Sequence, residues 1–160
     1  GLHARLIPHI QSHGGVVDKF LGDGIMATFG VVTPRPMPEA DAMRALEEIM
    51  VEAARWTDET VAMPGGQRLE VNGAMASGPV VFATLGSVDR LEYTVIGEAA
   101  NLAAKLEKHN KAAGTRALID AQSYERAVAQ GYSPVSGIER RSGQQLHGVD
   151  GLVDIVVLCV

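Results

Sequence analysis

At 160 residues, with 46% hydrophobic and 21% charged content, the chain is long enough to bury a core of its own and is expected to form one domain over residues 1–160. Its net charge of −5 and its 14 scattered Lys and Arg leave no basic patch, which argues against nucleic acid as a partner. No apolar run approaches the roughly 20 residues that span a bilayer, and the single cysteine, Cys159, excludes an internal disulfide and reads as a strand filler in a reducing compartment.

Leu2, Leu6, Ile7 and Ile10 follow Gly1 at helical spacing, so the chain opens in an amphipathic helix that Gly14-Gly15 ends. Such a start reads as the later part of something longer. Val16 to Leu21 and Ile25 to Phe29 form two strands around Gly22-Asp23-Gly24, where Asp-Gly is a strong hairpin signal. The hairpin puts Asp23 at an exposed tip and Lys19 one step behind it. Taken alone, Asp23 serves as a turn former and Lys19 as a solvated strand residue, although an apolar ribbon does not carry both charges without cost.

A proline-rich connection, residues 33–38, leads into a second helix whose apolar stripe is Met43, Leu46, Met50, Ala53 and Trp56, with Glu47, Glu48, Glu52 and Arg55 expected on the other side. Met63-Pro64-Gly65-Gly66 closes it. Leu69 to Ala76 and Val80 to Leu85 read as a strand pair around Ser77-Gly78-Pro79, and Leu91 to Ile96 as a further strand. A third helix begins near Gly97, turns Ala99, Leu102, Ala103 and Leu106 inward, and stops at Gly114, which accepts positive φ. Glu98, Asn101 and Lys105 share one face of it; by themselves they are equally a solvated stripe. Ala117 to Ile119 is a strand, Asp120 caps a short helix through Ala129, and Val153 to Val160 is an apolar terminal strand. The order of elements predicts an α+β sandwich with helices packed on a largely antiparallel sheet.

Several chemistries lack their signatures. His9 and His13 have the four-residue spacing of a chelating pair, but no HExxH pattern or nearby cysteine completes a zinc site. Ser77 lies in Ala-Ser-Gly rather than a nucleophile elbow, and no Walker-type phosphate loop occurs.

Two blocks carry a resemblance. Lys19-Phe20-Leu21-Gly22-Asp23-Gly24-Ile25-Met26-Ala27, with Tyr93-Thr94-Val95-Ile96-Gly97-Glu98-Ala99-Ala100-Asn101-Leu102-Ala103-Ala104-Lys105, resembles the catalytic domain of the class III adenylate/guanylate cyclases. His13-Gly14-Gly15, Ser77-Gly78-Pro79-Val80-Val81, Leu85-Gly86-Ser87 and Leu146-His147-Gly148 match further landmarks, so the likeness covers essentially the whole chain. It implies a ferredoxin-like, cyclase-type sandwich and an adenylate cyclase that converts ATP to 3′,5′-cyclic AMP and pyrophosphate.

The resemblance also assigns roles. Asp23 matches a ligand of two divalent metal ions, Mg²⁺ or Mn²⁺, for which hard carboxylate oxygens are suited. Lys19 and Thr94 match the pair that reads the purine; GTP-using members tend to carry glutamate and cysteine there, so this pair favours ATP. Asn101 matches the residue that orients the ribose, and Lys105 stands where an arginine usually faces the developing transition-state charge. A head-to-tail homodimer is implied, with the metal and base positions from one chain and Asn101 and Lys105 from the other.

The expected departures are equally specific. The family's first metal aspartate, in a motif like Phe-x-Asp-Ile-x-Gly-Phe-Thr, falls upstream of Gly1, so the chain reads as an N-terminally incomplete copy lacking a strand and the strand-helix turn that helps hold the triphosphate. Asn72 stands where many members have a phosphate-binding arginine, and the compact ammonium of Lys105 does not reproduce a guanidinium fork. The alternative to catalysis is a cyclase-like module that binds nucleotide or dimerises for regulation. A cytoplasmic location is expected, with regulatory domains in the parent protein and its membrane attachment left open. The Gly-Gly-Asp/Glu-Glu-Phe signature of dinucleotide cyclases is absent.

Overall fold

A computed structural model describes residues 1–86 and 92–159, with the backbone alone at 84, 85 and 92–94. The chain opens with α1 (Leu2–Ser12), β1 (Val16–Leu21), β2 (Gly24–Thr28) and the long α2 (Pro38–Ala62). Three strands follow, β3 (Gly73–Met75), β4 (Val81–Leu85) and β5 (Glu92–Ile96), and then α3 (Glu98–Ala113). The chain ends in β6 (Ala117–Asp120), α4 (Ala121–Ala129), β7 (Ile138–Gln145) and β8 (Leu152–Leu158).

The helices form where the apolar spacing predicts them. α1 buries Leu6 and Ile10 against α2, and Arg5 ties the two together through Glu52 at 2.7 Å and Glu59 at 2.6 Å. α2 starts on Pro38, at a position where the N–H that proline lacks would have no intrahelical partner. Its stripe of Ala40, Met43, Leu46, Met50 and Ala53 is buried. Glu47, expected on the outer side, is also buried. It follows Met43 by four residues and precedes Met50 by three, which puts it on the inner face. The Tyr132 hydroxyl and the Val135 N–H both donate to its carboxylate, and burial raises its pKa above the usual carboxylate range.

Among the described residues the strands form three sheets: β1–β2, β4–β5, and a four-stranded sheet in the order β3-β6-β8-β7. The last is the centre of the fold. Ala117, Ile119, Val156 and Leu158 pack with α2 and α4, whereas Leu118, Ile155 and Val157 pack with Leu106 of α3. Alternate side chains thus enter opposite layers, which is why β6 and the end of β8 read as continuous apolar runs.

The second half corrects the strand pairing. β3 is three residues long and pairs in parallel with β6; it does not pair with β4. The chain leaves the sheet at Ser77, whose N–H donates to Ser123 Oγ at 2.8 Å while its carbonyl accepts from Arg126. The hairpin of this region is β4 with β5, in register from Val81↔Ile96 to Leu85↔Glu92. Leu91, the expected start of that strand, lies outside the described residues. β7 carries Glu139, Arg140, Arg141, Gln144 and Gln145 at the sheet edge, so no apolar alternation announced it. Cys159 is exposed just past β8 and is not a strand filler.

Both predicted helix boundaries in α3 and α4 are present. Gly114 ends α3 at φ +69°, and Asp120 caps α4 by accepting from the Ser123 N–H at 3.2 Å. Asn110 anchors the end of α3: fully buried, it donates to the Gly73 carbonyl at 2.9 Å and accepts from the Thr115 hydroxyl at 2.8 Å. Among the described residues no helix is long and apolar enough to cross a membrane.

Candidate functional site

The β1–β2 hairpin holds two of the sequence-selected residues. Leu21 pairs with Gly24, leaving a two-residue turn of Gly22 and Asp23. The positive φ falls on Gly22, at +59°, as the first central residue of a type II′ turn requires, so Asp23 needs no unusual backbone angle. Its carboxylate faces solvent. α1 ties the tip down from the side: His3 Nε2 lies 2.7 Å from the Asp23 carbonyl oxygen, and the His3 ring stacks on Phe20 with centroids 5.0 Å apart.

Lys19 is 37% exposed, and its Nζ stands 3.7 Å from Oδ2 of Asp18. The register steps from Val17↔Ala27 to Lys19↔Met26, so Asp18 is the extra residue of a bulge. β1 also touches β5. The strand carrying Lys19 therefore lies by the strand carrying Thr94, whose backbone pairs with Ala83. The Thr94 side chain lies outside the described residues.

Asn101 and Lys105 sit one turn apart on α3, which leaves β5 through Gly97. That glycine is dictated by a close approach, since a Cβ there would lie 2.8 Å from the Pro79 carbonyl oxygen at φ +146°. Asn101 is exposed and Lys105 half-buried. The Lys105 side chain crosses the β7–β8 turn, where a Cβ on Gly148 would meet its Nζ at 2.7 Å. The late Leu146-His147-Gly148 landmark thus lies under the lysine. Among the described residues no hydrogen bond or ion pair joins Asp23 to Asn101 or Lys105.

The neighbourhood of Asn72 was not legible in the sequence. Its Oδ1 faces Arg116 Nη1 at 3.4 Å, so a guanidinium stands beside the position where the resemblance expects an arginine. Arg116 also pairs with Glu70 and holds that carboxyl below its ordinary range. His9 in the last turn of α1 and His13 just past its end both approach Oε2 of Glu48, at 3.3 and 2.7 Å. Among the described residues no group of three His, Cys, Asp or Glu could hold a metal ion. For a divalent ion, the oxygen chemistry of Asp23 fits Mg²⁺ or Mn²⁺ as one ligand, but the described residues do not complete a set.

Comparison with solved structures places the fold. The guanylyl cyclase Cya2 superposes with a TM-score of 0.78 at 26% identity, covering 98% of this chain and 76% of that one. The adenylyl cyclase CyaB from P. aeruginosa gives a TM-score of 0.74 at 22% identity, covering 99% and 79%. A bacterial light-regulated adenylyl cyclase gives 0.76 at 20% identity, covering 98% and 42%. The chain therefore has the fold of the nucleotidyl cyclase catalytic domains, as the two sequence blocks led one to expect. Adenylyl and guanylyl enzymes both occur among these neighbours, so the fold alone does not select the base.

No sequence-family profile matches the chain. Among curated proteins, the uncharacterized protein Rv1318c of Mycobacterium tuberculosis is 34% identical over 124 residues, which is 78% of this chain. Rv1320c of the same organism is 33% identical over 118 residues, or 74%. The chain spans about one fifth of the length of these relatives, 21% and 19% respectively.

Proposed function

We propose that this chain is the catalytic portion of an adenylate cyclase, forming 3′,5′-cyclic AMP and pyrophosphate from ATP. The observation that carries the reading is the placing of Lys19 and Asp23 on one hairpin, beside the strand of Thr94, within a fold that superposes on nucleotidyl cyclases over 98% of the chain.

The roles follow from the chemistry of each group. Lys19 donates from its ammonium to an adenine ring nitrogen, and the Thr94 hydroxyl accepts from the exocyclic amine. Asn101 orients the ribose so that its 3′-hydroxyl lies in line with the α-phosphorus, a positional contribution to the barrier. Lys105 places a positive charge against the phosphate oxygens as pyrophosphate leaves. Asp23 supplies one carboxylate toward a divalent ion, which would assist the hydroxyl's ionisation and neutralise phosphate charge when bound. In a head-to-tail homodimer, Lys19 and Asp23 of one chain face Asn101 and Lys105 of the other, and two-fold symmetry repeats the site. Regulatory segments elsewhere in the parent protein belong to the same proposal.

Lys105 favours a second reading as well. Where a guanidinium would make a bidentate contact, an ammonium is a point charge, and a domain that binds ATP without turning it over would tolerate that exchange. Turnover of ATP with Mn²⁺ by the full-length protein separates the two. Cyclic AMP is the expected product; ATP binding in calorimetry with no cyclic AMP would discard catalysis and leave the binding module.

A further inference from the structure

Asp18 has no part in the roles above, yet its side chain is only 7% exposed. Its Oδ2 is buried and accepts no hydrogen bond among the described residues. A carboxylate removed from water on such terms is costly unless a cation compensates it. Lys19 brings one to 3.7 Å.

Consecutive residues of an unbroken strand point to opposite faces, so residues 18 and 19 would not ordinarily meet. The bulge changes this: Val17 and Lys19 both have partners on β2, and Asp18 is the residue left over. Bulges redirect side chains in this way, often beside functional sites. At 3.7 Å the pair is longer than a hydrogen bond. The carboxylate thus holds the ammonium by charge, without a direct hydrogen bond to it.

We infer that Asp18 is a positioning residue for Lys19, its buried carboxylate fixing where the ammonium is presented to the purine ring. The inference rests on the reading of Lys19 as the residue that recognises the base. An anchored donor suits adenine, whose N1 accepts a hydrogen bond, and opposes guanine, whose N1 carries a proton. Discrimination of this kind is strong when the wrong base leaves a polar group unpaired. Asp18 therefore contributes to specificity through Lys19, without touching the nucleotide.

The test is calorimetric binding of ATP and GTP, each with Mn²⁺, to the full-length protein, with inorganic tripolyphosphate as the base-free probe. Asp18→Asn keeps the shape and removes the charge. It is expected to lower the ratio of ATP to GTP affinity by about tenfold, with tripolyphosphate affinity unchanged. Lys19→Ala should lower the ratio at least as far, and the double variant no further than Lys19→Ala alone. If Lys19→Ala changes the ratio and Asp18→Asn does not, the positioning role is overturned and base recognition stands. If Lys19→Ala leaves the ratio unchanged, base recognition itself fails and the inference with it. An equal loss for all three ligands marks general damage to the hairpin and also overturns the role. Should Asp18→Asn not fold, Asp18→Ser is read by the same ratio.

Discussion

A Cβ on Gly148 would stand 2.7 Å from Lys105 Nζ and 3.1 Å from its Cε, so the lysine's path over the β7–β8 turn depends on a missing side chain. Gly151 supplies a matched control, at φ +77° against +79° for Gly148 but with open space where its Cβ would be. Alanine at either site incurs the left-handed backbone cost of about 1–2 kcal/mol. Only Gly148→Ala also displaces Lys105, and the atoms it meets are the movable end of that side chain. Equal urea midpoints are expected for the two variants, with a weakened response to triphosphate confined to Gly148→Ala. Parallel loss of triphosphate binding in Gly151→Ala would show that the effect is backbone strain.

The purine preference is a second point of test. Replacing Lys19 by Glu together with Thr94 by Cys puts in place the residues typical of GTP-using members. The double variant of the full-length protein is expected to shift the ATP-to-GTP preference toward GTP by at least about tenfold, since a donor has been exchanged for an acceptor at the base edge. Competition between the two nucleotides measures it directly, and an unchanged preference would remove Lys19 and Thr94 from base recognition.

Asn110→Ala tests the anchor of α3. The buried amide satisfies the Gly73 carbonyl and the Thr115 hydroxyl at once, and its removal takes the amide partner from two half-buried polar groups. A loss of about 1–3 kcal/mol is expected from that mechanism, read from urea unfolding. A change within experimental error would mean that the end of α3 is held by Leu106 and its neighbours alone.

The pH dependence of stability carries a signature of Glu47. Burial raises the pKa of its carboxyl in the folded chain, and the Val135 N–H offsets only part of this. A group raised in this way contributes stability that is complete below its unfolded pKa and declines as pH rises through the folded value. Glu47→Gln is neutral throughout. The advantage of the native chain over Glu47→Gln should therefore shrink from acid toward neutral pH, in paired denaturation curves taken across that range. An advantage that grows instead would place the charged form as the preferred native state.

What could be read in advance was local. The spacing of Leu6 with Ile10 and of Met43, Leu46 and Met50 gave α1 and α2, Gly114 and Asp120 marked helix ends, and the Asp-Gly step in Gly22-Asp23-Gly24 marked the hairpin, although Gly24 itself belongs to β2. What escaped depends on distant partners. β3 pairs with β6, some 44 residues on, and the charged edge strand β7 shows no alternation because only its β8 neighbour defines it. Glu47 is buried by Tyr132 and Val135, which no window around residue 47 contains. For the candidate site, residue types and order pointed to Lys19, Asp23, Asn101 and Lys105. The bulge at Asp18, the seat on Gly148 and the guanidinium beside Asn72 each needed the backbone to be folded first.

Among the described residues the two hairpins β1–β2 and β4–β5 lie outside the four-stranded sheet, and none of their strand residues joins the apolar cluster that this sheet forms with α2 and α4. Two-stranded ribbons are marginal on their own. Their amide protons should thus exchange with solvent through small local openings, well before those of β6 and β8, which open only with the whole core. A ligand gripped by such ribbons would slow their exchange far more than it raises the melting of the sheet, acting as a clasp on the least stable part of the molecule.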